Sequence, residues 1–510
     1  MKDGLTRQER RKAWLYAGLI VAVMLALGAL ALWLRLGVDR AEETHLPPES
    51  DALLTAAGGL DAISVDAVFD PEGSTLTARQ VMTLVNRSGQ VLQEITLRSW
   101  SGAYLSQATS PAATEELFDA CYGEHFSPGG LTLSNAQVNR VAVTWAWTDE
   151  ANTVLTLPVK DWQPGENVTV TLDYAVAIPA CRSRFGACDG VWQLGNVFPT
   201  AAVGLDGELR TDEYVSIGCP FLSECANWTV RLTVPAGYTV AATGSPGEAE
   251  TLDGMTTYTC TASAVRDFAL VISDRWQTVS LMADDVLVTA HARDKSAARQ
   301  MAEFARQAIA CYEAHYGPYA YPTMTLCEVS LPYDGMSYPR LSMIGASQTG
   351  SRDALEEAVA RETARQWWGM MVGSDGWRQP WQSEALCEYA LLDYVGQTQG
   401  EAARESRIFE RIETAMRITL LEGITPGSPI DYFASLSEYN VVTRQRGAAL
   451  LLALENYLGK DGADGFLTAY QGTYRFSIAT RQDMEELASG MAGQDLSALF
   501  LDYLDTEISN

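Results

Sequence analysis

Histidine is scarce in this 510-residue chain, with only His45, His125, His291 and His315. No two of them lie at the spacing that puts two imidazoles on one helical face, so an H-x-x-x-H metal pair is excluded. Nine cysteines are present without a single C-x-x-C pair, which argues against a cysteine zinc site. Positive charge is also short: Lys+Arg number 36 against 64 Asp+Glu, a net −28. Phosphate binding needs clustered cations, so nucleic acid is not an expected partner. No internal repeat is evident, and only one long apolar run occurs. With 47% hydrophobic and 20% charged residues, the composition excludes a disordered, collagen-like or polytopic membrane chain.

The apolar run covers 13–34, AWLYAGLIVAVMLALGALALWL, and holds no charge. As a helix it would span roughly 33 Å, enough for the hydrocarbon core of a bilayer. Trp14, Tyr16 and Trp33 stand near its ends, where amphipathic rings favour the interface. It is long for the apolar region of a cleaved signal peptide, and apolar on every face, unlike a soluble surface helix. Lys2, Arg7, Arg10, Arg11 and Lys12 precede it. The positive-inside bias then places 1–12 in the cytoplasm and the bulk of the chain outside, as a single-pass protein of the cell membrane. Charge supports the division: residues 1–40 carry seven Lys/Arg against three Asp/Glu, and the other 470 carry 29 against 61.

After a spacer at 35–59, residues 60–280 predict a β domain. Stretches such as NVTVTLDYAVAIP and NWTVRLTVPAGYTVAAT alternate, are rich in Val and Thr, and are broken by Gly, Pro, Asn and Asp. An antiparallel saddle or sandwich is the expected form. From 285 to 510 the pattern turns mixed and helix-rich. Helical spacing recurs over 295–317, 352–372, 383–396, 402–421, 440–458, 462–474 and 481–488. The fold class predicted is therefore a multidomain α+β protein behind a membrane helix. Cys181 with Cys188, and Cys219 with Cys225, lie in short loop-like stretches that permit disulfides outside the cytoplasm. An odd total leaves at least one cysteine over.

The chemistry concentrates in ARETARQWWGMMVGSDGWRQPWQSEALCEYALLDYV, residues 360–395. Arg361 and Arg365 are four apart and share a helical face. Glu384 follows Arg365 by nineteen positions and opens a second predicted helix. This stretch resembles the zinc aminopeptidases of the gluzincin clan, the membrane alanyl aminopeptidase and leukotriene hydrolase type. Their signature is H-E-x-x-H, then eighteen residues, then Glu. QWWG after the motif, PWQSEALCEY around Glu384, YDGMSYPRLSMIG in the place of the G-x-M-E-N exopeptidase motif, and RQRGAALLLALENYLG all fall in family order. The resemblance implies a β domain followed by a thermolysin-like domain, without the large C-terminal helical domain of many members.

The resemblance also implies roles, and the residues depart from them. The two zinc histidines correspond to Arg361 and Arg365. The glutamate that holds the substrate ammonium corresponds to Ser337, the oxyanion tyrosine to Arg444, and the lysine two residues later to Arg446. Glu362 keeps the general-base position, Glu384 the third zinc-ligand position, and Tyr439 stands five residues before Arg444. A guanidinium has no lone pair to offer a metal. Three losses in separate motifs therefore predict a pseudopeptidase that expects no cofactor, with Glu362, Tyr439 and Glu384 vestigial. Its cleft, with Ser337, Arg361, Arg365 and Arg444, would take a peptide or protein ligand. Two alternatives remain open: an active zinc aminopeptidase with non-standard ligands, and a structural envelope protein. Arg361 or Arg365 is expected to pair with Glu384, with Glu357 as the helix partner of Arg361. Trp367, Trp368, Trp377 and Trp381 are expected to be core.

Overall fold

The computed structural model describes Arg7 and residues 46–506, without 111, 113 and 419–422. The span expected at 13–34 lies outside the described residues. Among those described, no helix is long and apolar enough to cross a membrane. Leu46–Asn510 group as one compact unit.

The β portion follows from two-residue periodicity. Strand Asp61–Asp70 buries Ile63, Val65, Ala67 and Phe69 and exposes the residues between them. It pairs antiparallel with Thr75–Val85 and parallel with Ala226–Pro235. The remaining ladders of this nine-stranded sheet are antiparallel. The expectation of an antiparallel domain thus fails at one pairing. Alternation decides which face a residue takes, not the direction of the neighbouring strand. Two four-stranded sheets and a short ribbon of Gly204–Leu205 with Glu208–Leu209 accompany it, one four-stranded sheet being built from Phe185–Cys188, Val191–Leu194, Leu270–Ser273 and Thr239–Ala242.

Residues 51–57 of the expected spacer are a helix, N-capped by Ser50 and burying Leu53 and Ala57. Just before it, Glu49 pairs with the fully buried Arg340 at 3.2 Å. This stretch is therefore docked rather than a free linker. At the other end of the domain, Gln277–Ala283 and Val286–Ala292 form a hairpin that joins Thr323–Val329, Leu341–Gly345 and Gly335–Tyr338 in a five-stranded sheet. Gln277–Ala283, ahead of the expected 285 start of the helix-rich part, thus joins the same sheet as Thr323–Val329.

The helical half matches the predicted periodicity closely. Lys295–Tyr316 is capped by Asp294, Arg352–Trp367 by Ser351, and Arg481–Ala492 by a Thr480–Asp483 capping box. Trp381–Gln399 starts after Pro380 and ends at Gly400 (φ +92°). Two segments differ in winding: Ile408–Glu413 and Asn440–Arg446 are π-helical turns inside otherwise α-helical stretches. One apolar core runs from the large β sheet into the helices. Trp367, Trp368 and Trp381 lie within it, and Trp377 packs on a smaller cluster with Ile430 and Tyr439. All nine cysteines are free thiols.

Candidate functional site

The 352–367 and 381–399 helices lie side by side and bring Arg361, Glu362 and Arg365 opposite Glu384 and Glu388. Strand Gly335–Tyr338 runs along the first helix at the edge of its sheet. The approach is close: a β-carbon on Gly335 would meet Glu362 Cγ at 2.7 Å. Together with the β domain these elements enclose a cleft of about 320 Å³. All seven site residues named from the sequence (Ser337, Arg361, Glu362, Arg365, Glu384, Tyr439 and Arg444) line it. Arg446, by contrast, turns away and donates to the carbonyls of Ala415 and Ile418.

Glu384 is the hub. Its Oε2 accepts from Arg365 Nη2 at 2.8 Å and from Arg444 Nε at 3.0 Å, and Tyr439 Oη donates to Oε1 at 3.4 Å. The expected pair with Arg365 is therefore formed, and Arg444 adds a second cation. Burial opposes ionisation of Glu384, but the two guanidiniums outweigh it and hold the carboxyl at about 2. Glu362, 3% exposed, takes Arg365 Nε at 3.3 Å and the Ser337 hydroxyl at 2.8 Å. Ser337 also meets Ser342 Oγ at 2.9 Å. Its hydroxyl is thus fully engaged in satisfying buried acceptors.

Arg361 forms the expected bond to Glu357, at 2.7 Å, and lies 3.8 Å from Glu388. Glu388 and Arg411 were not identified from the sequence. Glu388 is completely buried and is gripped by Arg411 through both nitrogens of its fork. Arg411 and Arg407 both reach Glu357, at 3.2 and 2.9 Å. One signal was available: Glu384 and Glu388 are four apart on a helix, so the second shares the face of the first. Arg411 carried none, because it reaches Glu388 from a π-helical turn distant in sequence. The β-domain side also contributes Arg184, Asn196 and Asp267 to the cleft, and no motif marked these.

The donor set does not fit zinc. No histidine lines the cleft. The carboxylate at the third-ligand position already has two arginines on it. A metal would need neutral imidazoles where permanently charged guanidiniums stand. Among the described residues, one other group of side chains has metal-ligand character: His315, Asp393 and Asp464. Lys460 Nζ lies 3.0 Å from Asp393 and also bonds Asp464, so an ammonium already balances that cluster. None of its members lines the cleft.

Fold and sequence converge on one class. Residues 303–503 match the Peptidase family M1 domain. Leucine aminopeptidase 2-1 of Meyerozyma guilliermondii is 27% identical over 192 residues, 35% of this chain and 30% of that protein. Human aminopeptidase N is 24% identical over 161 residues, 30% of this chain and 16% of that protein. The matched segments thus span less than a third of these relatives. A crystal structure of a variant M1 zinc metallopeptidase from Deinococcus radiodurans, bound to a Tyr-Ser-Ala substrate, superposes with a TM-score of 0.60 at 17% identity. It covers 88% of this chain and 94% of that one. The chain has the aminopeptidase-like fold, and its residues 303–503 match the M1 peptidase domain.

Proposed function

We propose that this protein is a zinc-independent pseudopeptidase. It is anchored in the cell membrane by residues 13–34, faces the outside, and holds a peptide segment in the ancestral cleft without cleaving it. One observation carries the proposal. Glu384, at the family's third-ligand position, is neutralised by Arg365 and Arg444, and Arg361 and Arg365 occupy the positions of the imidazoles. The internal ion pairs supply the positive charge that a metal would bring, so the core is electrostatically complete on its own. Hydrolysis in this family needs a metal-bound water as nucleophile, and these side chains offer no means of holding one. The cleft itself lies between the β domain and the helical part, and a relative of the same fold is recorded with a tripeptide substrate.

The test is elemental analysis of the full chain after incubation with zinc, beside an aminopeptidase assay on aminoacyl amides. Sub-stoichiometric zinc and no turnover above blank are expected. One tightly held zinc per chain together with turnover would overturn the proposal in favour of an active metallopeptidase with other ligands. The names of the relatives are the only support for that alternative.

A further inference from the structure

The cations of the cleft fall into two groups by what neutralises them. Arg361, Arg365 and Arg444 each contact at least one carboxylate. Arg266 contacts none, but its guanidinium donates to the carbonyls of Met370, Met371, Ser223 and Ser477. Arg184 has no carboxylate and a single carbonyl. It precedes strand Phe185–Cys188 on the β-domain side and is 4% exposed. Its one side-chain hydrogen bond runs from Nη2 to the Gly218 carbonyl at 2.9 Å. Nη1 has no partner, and among the described residues no carboxylate lies within 4 Å. The Phe221 ring lies 4.7 Å away, which holds the plane of the guanidinium without cancelling its charge.

The surroundings are built around this group. Gly218 has φ +67°, and a β-carbon there would meet Tyr439 Cζ at 2.5 Å. Only glycine brings this carbonyl to Arg184 beneath the Tyr439 ring. Tyr214 and Tyr333 line the same cleft, and their buried hydroxyls also lack partners. Asp267 shares the cleft, but its oxygens are engaged by the Phe268 N–H and by Asn196 Nδ2. A hydroxyl or a water can satisfy an N–H, but neither cancels a buried charge. An uncompensated buried cation lowers stability. Proteins hold such costs where binding requires them.

We infer that Arg184 is the anion-recognition point of the cleft and takes a carboxylate of the bound peptide, with Tyr214 and Tyr333 as further donors. A guanidinium and two phenols offer donors, and a carboxylate is the peptide group that only accepts. The inference rests on the peptide-binding reading above and names the chemistry it selects. A ligand that brings its own negative charge completes the charge balance that the helical side of the cleft already has.

Titration calorimetry with the full chain tests this, using N-acetylated, C-amidated tetra-alanine peptides that carry Glu or Gln at each position in turn. A further pair ends in a free or an amidated C-terminus, which separates a side-chain from a terminal carboxylate. At least one carboxylate peptide is expected to bind about tenfold or more tightly than its neutral twin. In R184M the preference disappears while the neutral twin binds as before, and R184K retains part of it. The R184M chain is expected to be no less stable to urea than the wild type. Equal binding of every pair of twins in the wild type, or a preference that survives in R184M, overturns the subsite alone. Binding by no peptide overturns both the subsite and the peptide-binding reading. The wild-type comparison stands even if R184M fails to fold.

Discussion

The two walls of the cleft handle charge in opposite ways. On the helical wall, Arg361, Arg365, Arg411 and Arg444 interlock with Glu357, Glu362, Glu384 and Glu388 until every charge has a counterpart. On the β wall, Arg184 and Asp267 stand in the same cleft without opposite partners. The helical wall is where the family resemblance puts catalysis, and it holds an interlocked ion-pair network. The β wall carries no motif, yet it keeps the charge that a ligand could still use. In a buried cleft the informative charge is the unbalanced one, since burial costs are offset only by a partner.

The largest effect is expected from breaking the balanced side. E384A leaves Arg365 and Arg444 buried without their shared carboxylate and should cost about 3–5 kcal/mol in urea unfolding. A loss below about 1 kcal/mol would mean that the network is solvated and the two walls are alike. The acid dependence sharpens the same point. The folded pKa of Glu384, about 2, lies below its unfolded value. Its contribution is therefore complete above about pH 4.3 and is lost only as pH falls toward 2.

Asp267 behaves in the reverse sense. Burial pushes its carboxyl up to about 7. A carboxyl that holds its proton more tightly when folded stabilises most below its unfolded value, near 3.9, and loses that contribution as pH rises through 7. Stability should fall by a few kcal/mol across that window, and D267N should flatten the profile. A profile that D267N leaves unchanged would show that Asp267 has a counter-ion after all.

A metal-restoring variant asks whether the balanced wall still has the ancestral geometry. R361H, R365H, S337E and R444Y combined should bind zinc by elemental analysis, whereas R365H alone should not, because the remaining arginines still repel the ion. The smallest effect is expected from an exposed pair. Arg231 and Asp66, 57% and 60% exposed, form a 2.9 Å bridge. R231A should change stability by less than about 0.5 kcal/mol, which sets the baseline for the buried pairs.

Much of this was legible in the residues. The resemblance to the zinc motif led to the expectation that Arg361 or Arg365 pairs with Glu384, and Arg365 does; a four-position spacing foretold Arg361–Glu357, and two- and four-residue periodicities placed most strands and helices. What was missed shares one cause. Arg184 and Asp267 line one cleft from positions 83 residues apart in sequence, and Arg411 reaches Glu388 from a π-helical turn. The parallel pairing of Asp61–Asp70 with Ala226–Pro235 and the docking of 51–57 are also long-range. Nothing local encodes them.

Residue chemistry by itself determined that Arg361 and Arg365, at the positions the resemblance gives to zinc histidines, cannot bind a metal, since no conformation gives a guanidinium a lone pair. It also determined which faces of helices and strands turn inward, because that depends only on local geometry and apolarity. Tertiary packing alone decided which arginines are neutralised and which one is left with a charge to share. Ion pairing acts through space at distances of a few ångströms, and only the folded chain sets those distances.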